Sequence, residues 1–128
     1  EAEWIGTPHP GEARKLLGEE IDDRFTAVER LHDLYGGLWV LKGAGTLVGP
    51  NPIYVNPFAD SILATAGSGD VLAGVIGGLF SQKSASPAQK GVYIHSKAAE
   101  LLKTEGRTTI VATDLLDAVS KVITAGNN

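Results

Sequence analysis

The sequence has neither cysteine nor methionine among its 128 residues. Without cysteine there is no disulfide framework and no thiolate metal site, and a reducing compartment is compatible with the chain. Positive charge is not in excess either, since 11 basic against 15 acidic side chains leave a formal net charge of −4. A nucleic-acid footprint needs basic residues gathered on one face, so that class of partner is disfavoured. No apolar run reaches the roughly 18 to 20 residues that span a bilayer, and the first residues carry no signal-peptide pattern. What is present is 43% apolar content, enough for a core in one domain of this length, and 16 glycines that fall in clusters. With no methionine and a start at Glu1-Ala2-Glu3, the chain is expected to be a piece of a longer polypeptide. A site shared by two halves of a fold would then be incomplete in it.

The apolar periodicity changes along the chain. Trp4 to Thr7 is short and extended, and Pro10 suits the first turn of a helix that runs through Glu12 to Leu17 and stops at Gly18. A second helix is predicted from about Asp22 to Tyr35, with Phe25, Val28, Leu31 and Tyr35 at helical spacing and Gly36-Gly37 as its stop. Leu38 to Leu41 is a continuous apolar run, as for a strand buried on both faces. Further strands at Thr46 to Val48 and Ile53 to Val55, separated by Gly49-Pro50-Asn51-Pro52, complete a hairpin or meander at one side of a sheet.

Beyond a loop from Asn56 to Ala66, a helix is predicted from Asp70 to about Gln82, burying Val71, Leu72, Val75, Ile76 and Leu79. Gly74, Gly77 and Gly78 each cost it about 1 kcal/mol relative to alanine, which implies a second backbone packed close. Ser86-Pro87-Ala88-Gln89 reads as a capping box opening a helix to about Glu105, with Val92, His95, Ala99 and Leu102 inward. An extended Thr109 to Val111 precedes a last helix capped by Thr113, with Asp114 and Asp117 near its positive end. Helices interleaved with strands give the α/β class, with a few strands and about five helices.

Three segments carry candidate chemistry. Gly67-Ser68-Gly69-Asp70 stands directly before an apolar helix. A helix start leaves about four N–H groups unpaired and partly positive, and glycines let a ligand reach them, so the turn can hold a phosphate. Asp70 could then accept a hydroxyl proton. An ordinary helix start capped by Ser68 or Asp70 has the same composition. Neither a Walker A nor a dinucleotide fingerprint fits. Lys42-Gly43-Ala44-Gly45-Thr46 follows a buried strand, where open α/β sheets bind ligands, and suits a nucleotide phosphate. A glycine turn with an ordinary surface lysine reads equally well. His9 stands just before a helix start, where a histidine is commonly a surface or capping residue, while His32 and His95 fall on helix stripes and read as structural.

Taken in order, the segments "TPHPGEARKLLG" at 7–18, "VLKGAGTLV" at 40–48 and "ATAGSGDVLAGVIGGLFSQ" at 64–82 resemble the ADP-dependent NAD(P)H-hydrate dehydratase family, as does "GVYIHSKAAELL" at 91–102. The resemblance covers essentially the whole chain and about the carboxyl-terminal half of a family domain. It implies a ribokinase-like α/β fold and repair of NADH or NADPH hydrated on the nicotinamide ring. In that reaction ADP drives loss of water from the S form and leaves as AMP and phosphate, with Mg²⁺ offsetting diphosphate charge.

By the same resemblance Asp70 is the catalytic base and touches substrate, and His9 contacts the hydrated nicotinamide. Lys42, Gly43, Ala44, Gly45 and Thr46, with Gly67, Ser68 and Gly69, take the nucleotide. A cytoplasmic location and a homo-oligomer such as a tetramer are implied by analogy. One departure is Asn56-Pro57-Phe58-Ala59-Asp60-Ser61, where the family commonly reads Asn-x-x-Gly-Asn-Pro beside the substrate. A ribokinase-like ATP-dependent kinase for a vitamin precursor or sugar would share the anion hole and the aspartate. A non-catalytic folding or assembly module is the reading from a different class.

Overall fold

A computed structural model describes residues 4–43, 45–50, 52–56, 68–81, 86–106 and 112–126. These fall into two compact units, Glu1–Ala59 and Asp60–Asn128.

In the first unit the described elements are β1 (Ile5–Gly6), α1 (Pro10–Leu17), α2 (Arg24–Tyr35), β2 (Leu38–Leu41), β3 (Leu47–Gly49) and β4 (Tyr54–Val55). The strands form one sheet in the order β1-β2-β3-β4. β1 runs parallel to β2, with Ile5 opposite Leu38, whereas β2, β3 and β4 form the antiparallel meander expected from their short connections. Helix α1 starts at Pro10, whose missing N–H costs nothing in a first turn, and Gly18 closes it in a left-handed conformation. The core gathers Ala13, Ala27, Val28, Leu31, Trp39, Leu41 and Leu47. The stripe expected on α2 is shifted: Ala27, Val28 and Leu31 are buried, while Phe25 and Tyr35 are each 47% exposed. Tyr35 lies at the edge of the stripe, where its hydroxyl can donate to the Leu16 carbonyl (2.6 Å). His32 is structural as expected, its Nδ1 2.7 Å from the Gly37 carbonyl oxygen.

The second unit contains α3 (Ser68–Ser81), α4 (Pro87–Thr104) and α5 (Ala112–Gly126). Val71, Ala98, Ala99, Leu102, Leu115, Ala118 and Val119 form its core. Val92, His95, Ala99 and Leu102 are all buried on α4, as their spacing predicts. Three expectations fail here. Gly74, Gly77 and Gly78 have nothing within 4 Å of an added β-carbon, so among the described residues no second backbone uses their smoothness. That role belongs to Gly91 on α4, where a β-carbon would stand 2.4 Å from Ile76 Cγ1 and 3.4 Å from Ile76 Cα.

Ser86 does not cap α4 with its side chain, because φ 51° and ψ 55° put it in the left-handed region rather than the extended one that capping requires. Pro87 at the first helical position removes one of the donors a cap would have served. Helix α5 begins at Ala112, so Thr113 lies inside the first turn instead of preceding it. The extended Thr109 to Val111 and most of the loop from Asn56 to Ala66 lie outside the described residues.

Candidate functional site

The first two motif segments meet in the first unit because β1 and β2 are parallel, which brings their carboxyl ends side by side. The chain leaving β1 passes Pro8, and the Lys42 N–H donates to the Pro8 carbonyl at 3.1 Å. Lys42 is the first residue after β2, so the lysine turn and the histidine segment form one edge at the strand ends, where open α/β sheets bind ligands.

His9 is the N-cap of α1. Its Nδ1 accepts from the Glu12 N–H (3.1 Å), and Glu12 Oε1 accepts from the His9 N–H (3.0 Å). Both halves of a capping box are therefore made, with histidine in the position usually taken by serine or threonine. Using Nδ1 as the acceptor leaves the neutral ring's proton on Nε2, and the side chain is 59% exposed. The capping alternative for His9 thus holds, and the ring's other nitrogen, Nε2, lies 3.5 Å from Glu12 Oε1. The hydrogen bond from the His9 N–H holds Glu12 below the ordinary carboxyl value of 4.5, with the electrostatic influence of His9, Lys42 and Lys15 acting the same way.

In the lysine turn, Gly43 has φ 148° and Gly45 φ 68°, both in the region that disfavours a β-carbon. Thr46 Oγ1 donates to the Gly43 carbonyl (3.2 Å) and closes the turn on itself. Thr46 O accepts from the N–H of Asn56 (2.9 Å), a residue only 2% exposed. Ala44 lies outside the described residues.

The third segment heads the second unit. Helix α3 begins at Ser68, so Ser68, Gly69 and Asp70 occupy its first turn, whose N–H groups have no acceptor within the helix. Asp70 is exposed there. Gly67 and the Ser68 side chain lie outside the described residues. Among the described residues no group of three or more histidine and acidic side chains is placed to hold a metal ion.

One residue of the first unit, Arg24, escaped the reading of the sequence, and a second, Asn56, entered it only as the start of the departing loop. Arg24 Nη2 donates to the Leu41 carbonyl at 3.3 Å, and Asn56 is buried beside the far end of the lysine turn. The one signal for Arg24 was a cation at the first position of a helix, where the dipole disfavours it.

Residues 1–121 match a family described as NAD(P)H-hydrate dehydratase. The chain is 48% identical over 122 residues to the bifunctional NAD(P)H-hydrate repair enzyme of Coxiella burnetii, covering 88% of this chain and 25% of that protein. It is 44% identical over 107 residues to the ADP-dependent (S)-NAD(P)H-hydrate dehydratase of Neisseria meningitidis, covering 77% and 36%. Among solved structures, the ADP/ATP-dependent NAD(P)H-hydrate dehydratase of Bacillus subtilis, co-crystallised with ATP and Mg²⁺, superposes with a TM-score of 0.85. It is 29% identical, and the match covers 94% of this chain and 47% of that one. A ribokinase-like superfamily protein of Enterococcus faecalis gives 0.80 at 26% identity, covering 94% and 44%. The chain thus has a ribokinase-like α/β fold, and it spans about a quarter of the bifunctional enzyme and about half of the solved structures.

Proposed function

Because the chain belongs to the NAD(P)H-hydrate dehydratase family, we propose that it contributes to nicotinamide nucleotide repair: ADP-dependent dehydration of the S form of hydrated NADH or NADPH, releasing AMP and phosphate. The Neisseria relative is described as an ADP-dependent (S)-NAD(P)H-hydrate dehydratase. The observation that carries the reading is the bond from the Lys42 N–H to the Pro8 carbonyl. It sets the segment assigned to the hydrated nicotinamide, with His9, against the turn assigned to the nucleotide, Lys42 to Thr46.

The chemistry follows from a leaving-group problem. Hydroxide departs poorly from the ring carbon and phosphate departs well. Asp70 takes the proton of the ring hydroxyl, and the oxygen attacks the terminal phosphorus of ADP. The bond from that phosphorus to the bridging oxygen breaks, and AMP leaves with the electron pair. The ring carbon–oxygen bond then breaks, phosphate departs with its electrons, and the neighbouring ring carbon loses a proton to restore the dihydronicotinamide.

N–H groups of Ser68 and Gly69 at the start of α3, with that of Gly67 ahead of it, stabilise charge on the transferring phosphoryl group. Lys42 and the Gly43 to Thr46 backbone hold the remaining phosphate. Mg²⁺ bound with the nucleotide would offset diphosphate charge. A cytoplasmic setting and a homo-oligomer belong to the same proposal.

Mixing the full-length protein with hydrated NADH, ADP and Mg²⁺ tests it. Recovery of the reduced-nicotinamide absorbance with AMP formed in equal amount is expected. Accumulation of a stable phosphorylated product from ATP, with no recovered absorbance, would instead mark a kinase.

A further inference from the structure

Arg24 has no role in the chemistry above, and its surroundings are unusual. It is the first residue of α2, directly after the N-cap Asp23, at the end of the helix where the dipole opposes a positive charge. Its guanidinium crosses to the end of β2 instead. Nη2 donates to the Leu41 carbonyl at 3.3 Å, immediately before the lysine turn. Beyond that bond, a β-carbon built on Gly43 would stand 3.1 Å from Arg24 Nη2 and 3.5 Å from its Cζ. The guanidinium therefore fills the side-chain space that Gly43 leaves vacant, while Gly43 holds a φ of 148°.

We infer that Arg24 is a positioning residue for the nucleotide: by gripping the Leu41 carbonyl and seating against Gly43 it fixes the Lys42–Gly43 peptide in the conformation that receives a phosphate. This rests on the assignment of residues 42 to 46 to the nucleotide. Three features fit together in it. Gly43 suits this arrangement because of its φ and because a β-carbon there would press on the guanidinium. A planar guanidinium fits a flat peptide where an ammonium would make a single point contact. Its positive charge also stands close to the turn that is to hold an anion, adding to that of Lys42.

The test uses Arg24→Gln, which keeps much of the stem, and Arg24→Lys, which keeps the charge, in the full-length protein, with Arg30→Ala as control. Arg30 lies on the same helix and pairs at the surface with Glu19. Affinity for ADP with Mg²⁺ is read by calorimetry and KM is read separately for each substrate. Arg24→Gln should weaken ADP binding and raise its KM about tenfold, the scale of one charge-assisted hydrogen bond. The KM for the hydrated dinucleotide and the melting temperature should hardly move, Arg24→Lys should recover only part of the loss, and Arg30→Ala should match the unmodified protein. Unchanged ADP affinity in Arg24→Gln overturns the inference, as does an equal rise in both KM values. If the unmodified protein itself fails to bind ADP, the nucleotide assignment falls first and takes this inference with it.

Discussion

The Lys42 N–H and the Pro8 carbonyl, 34 positions apart and 3.1 Å from each other, tie the two motif segments of the first unit together. The bond continues the parallel pairing of β1 and β2 past the end of the sheet. A two-residue strand beside a four-residue one thereby fixes where His9 stands relative to the lysine turn.

Asp70 is exposed at the start of α3, so its replacement should affect chemistry more than folding. Asp70→Asn in the full-length protein should lower kcat on the order of 10²-fold or more, as for loss of a positioned base. Its melting temperature should stay close to that of the unmodified protein. Unchanged turnover would remove Asp70 from the mechanism.

His9 combines a cap with a proposed substrate contact, and one substitution separates them. Asparagine caps helices well, so His9→Asn should preserve the melting temperature. It should raise the KM for the hydrated dinucleotide roughly three- to tenfold, the scale of one neutral hydrogen bond, without altering that for ADP. If only stability changes, His9 is a cap and nothing more.

Reading the sequence succeeded where signals were local. Pro10 and Gly18 mark α1, and the apolar spacing selects the buried face of α4 and, on α3, Val71, Leu72 and Ile76, while Val75 and Leu79 are half-buried. It failed where the deciding partner is remote. Arg24 reaches the Leu41 carbonyl across 17 positions, and its place at a helix start marks the arginine but not its partner. The glycines of α3 suggested close packing, yet Gly91 on the neighbouring helix receives it, because close approach depends on which helix face meets Ile76. Phe25 and Tyr35 kept helical spacing but flank the buried stripe, a distinction that periodicity alone does not make.

Gly91→Ala tests that packing. The new methyl would overlap the Ile76 side chain, so one of the two helices or that side chain must shift, and destabilisation of about 1–3 kcal/mol is expected by denaturant melt. An alanine as stable as glycine would mean that α3 and α4 are not so closely packed at this point.

Glu12 gives a pH dependence. Its carboxyl lies below its ordinary value of 4.5 in the folded chain, chiefly because the His9 N–H binds the carboxylate. A depressed folded value contributes stability above the unfolded value, and this is lost as pH falls through the folded one. The melting-temperature gap between the unmodified protein and Glu12→Gln should be constant near neutrality and close on acidification below 4.5. A gap independent of pH would show that the charge is not involved.

The claim on which the function turns is that amides at the start of α3 receive the terminal phosphoryl group of the nucleotide. A crystal structure of the full-length protein with ADP and Mg²⁺ measures this directly. That phosphoryl should lie within hydrogen-bonding distance of the Ser68 and Gly69 N–H groups, with the Asp70 carboxylate next to it. Nucleotide bound elsewhere, with those amides covered by the protein's own chain, would contradict the account.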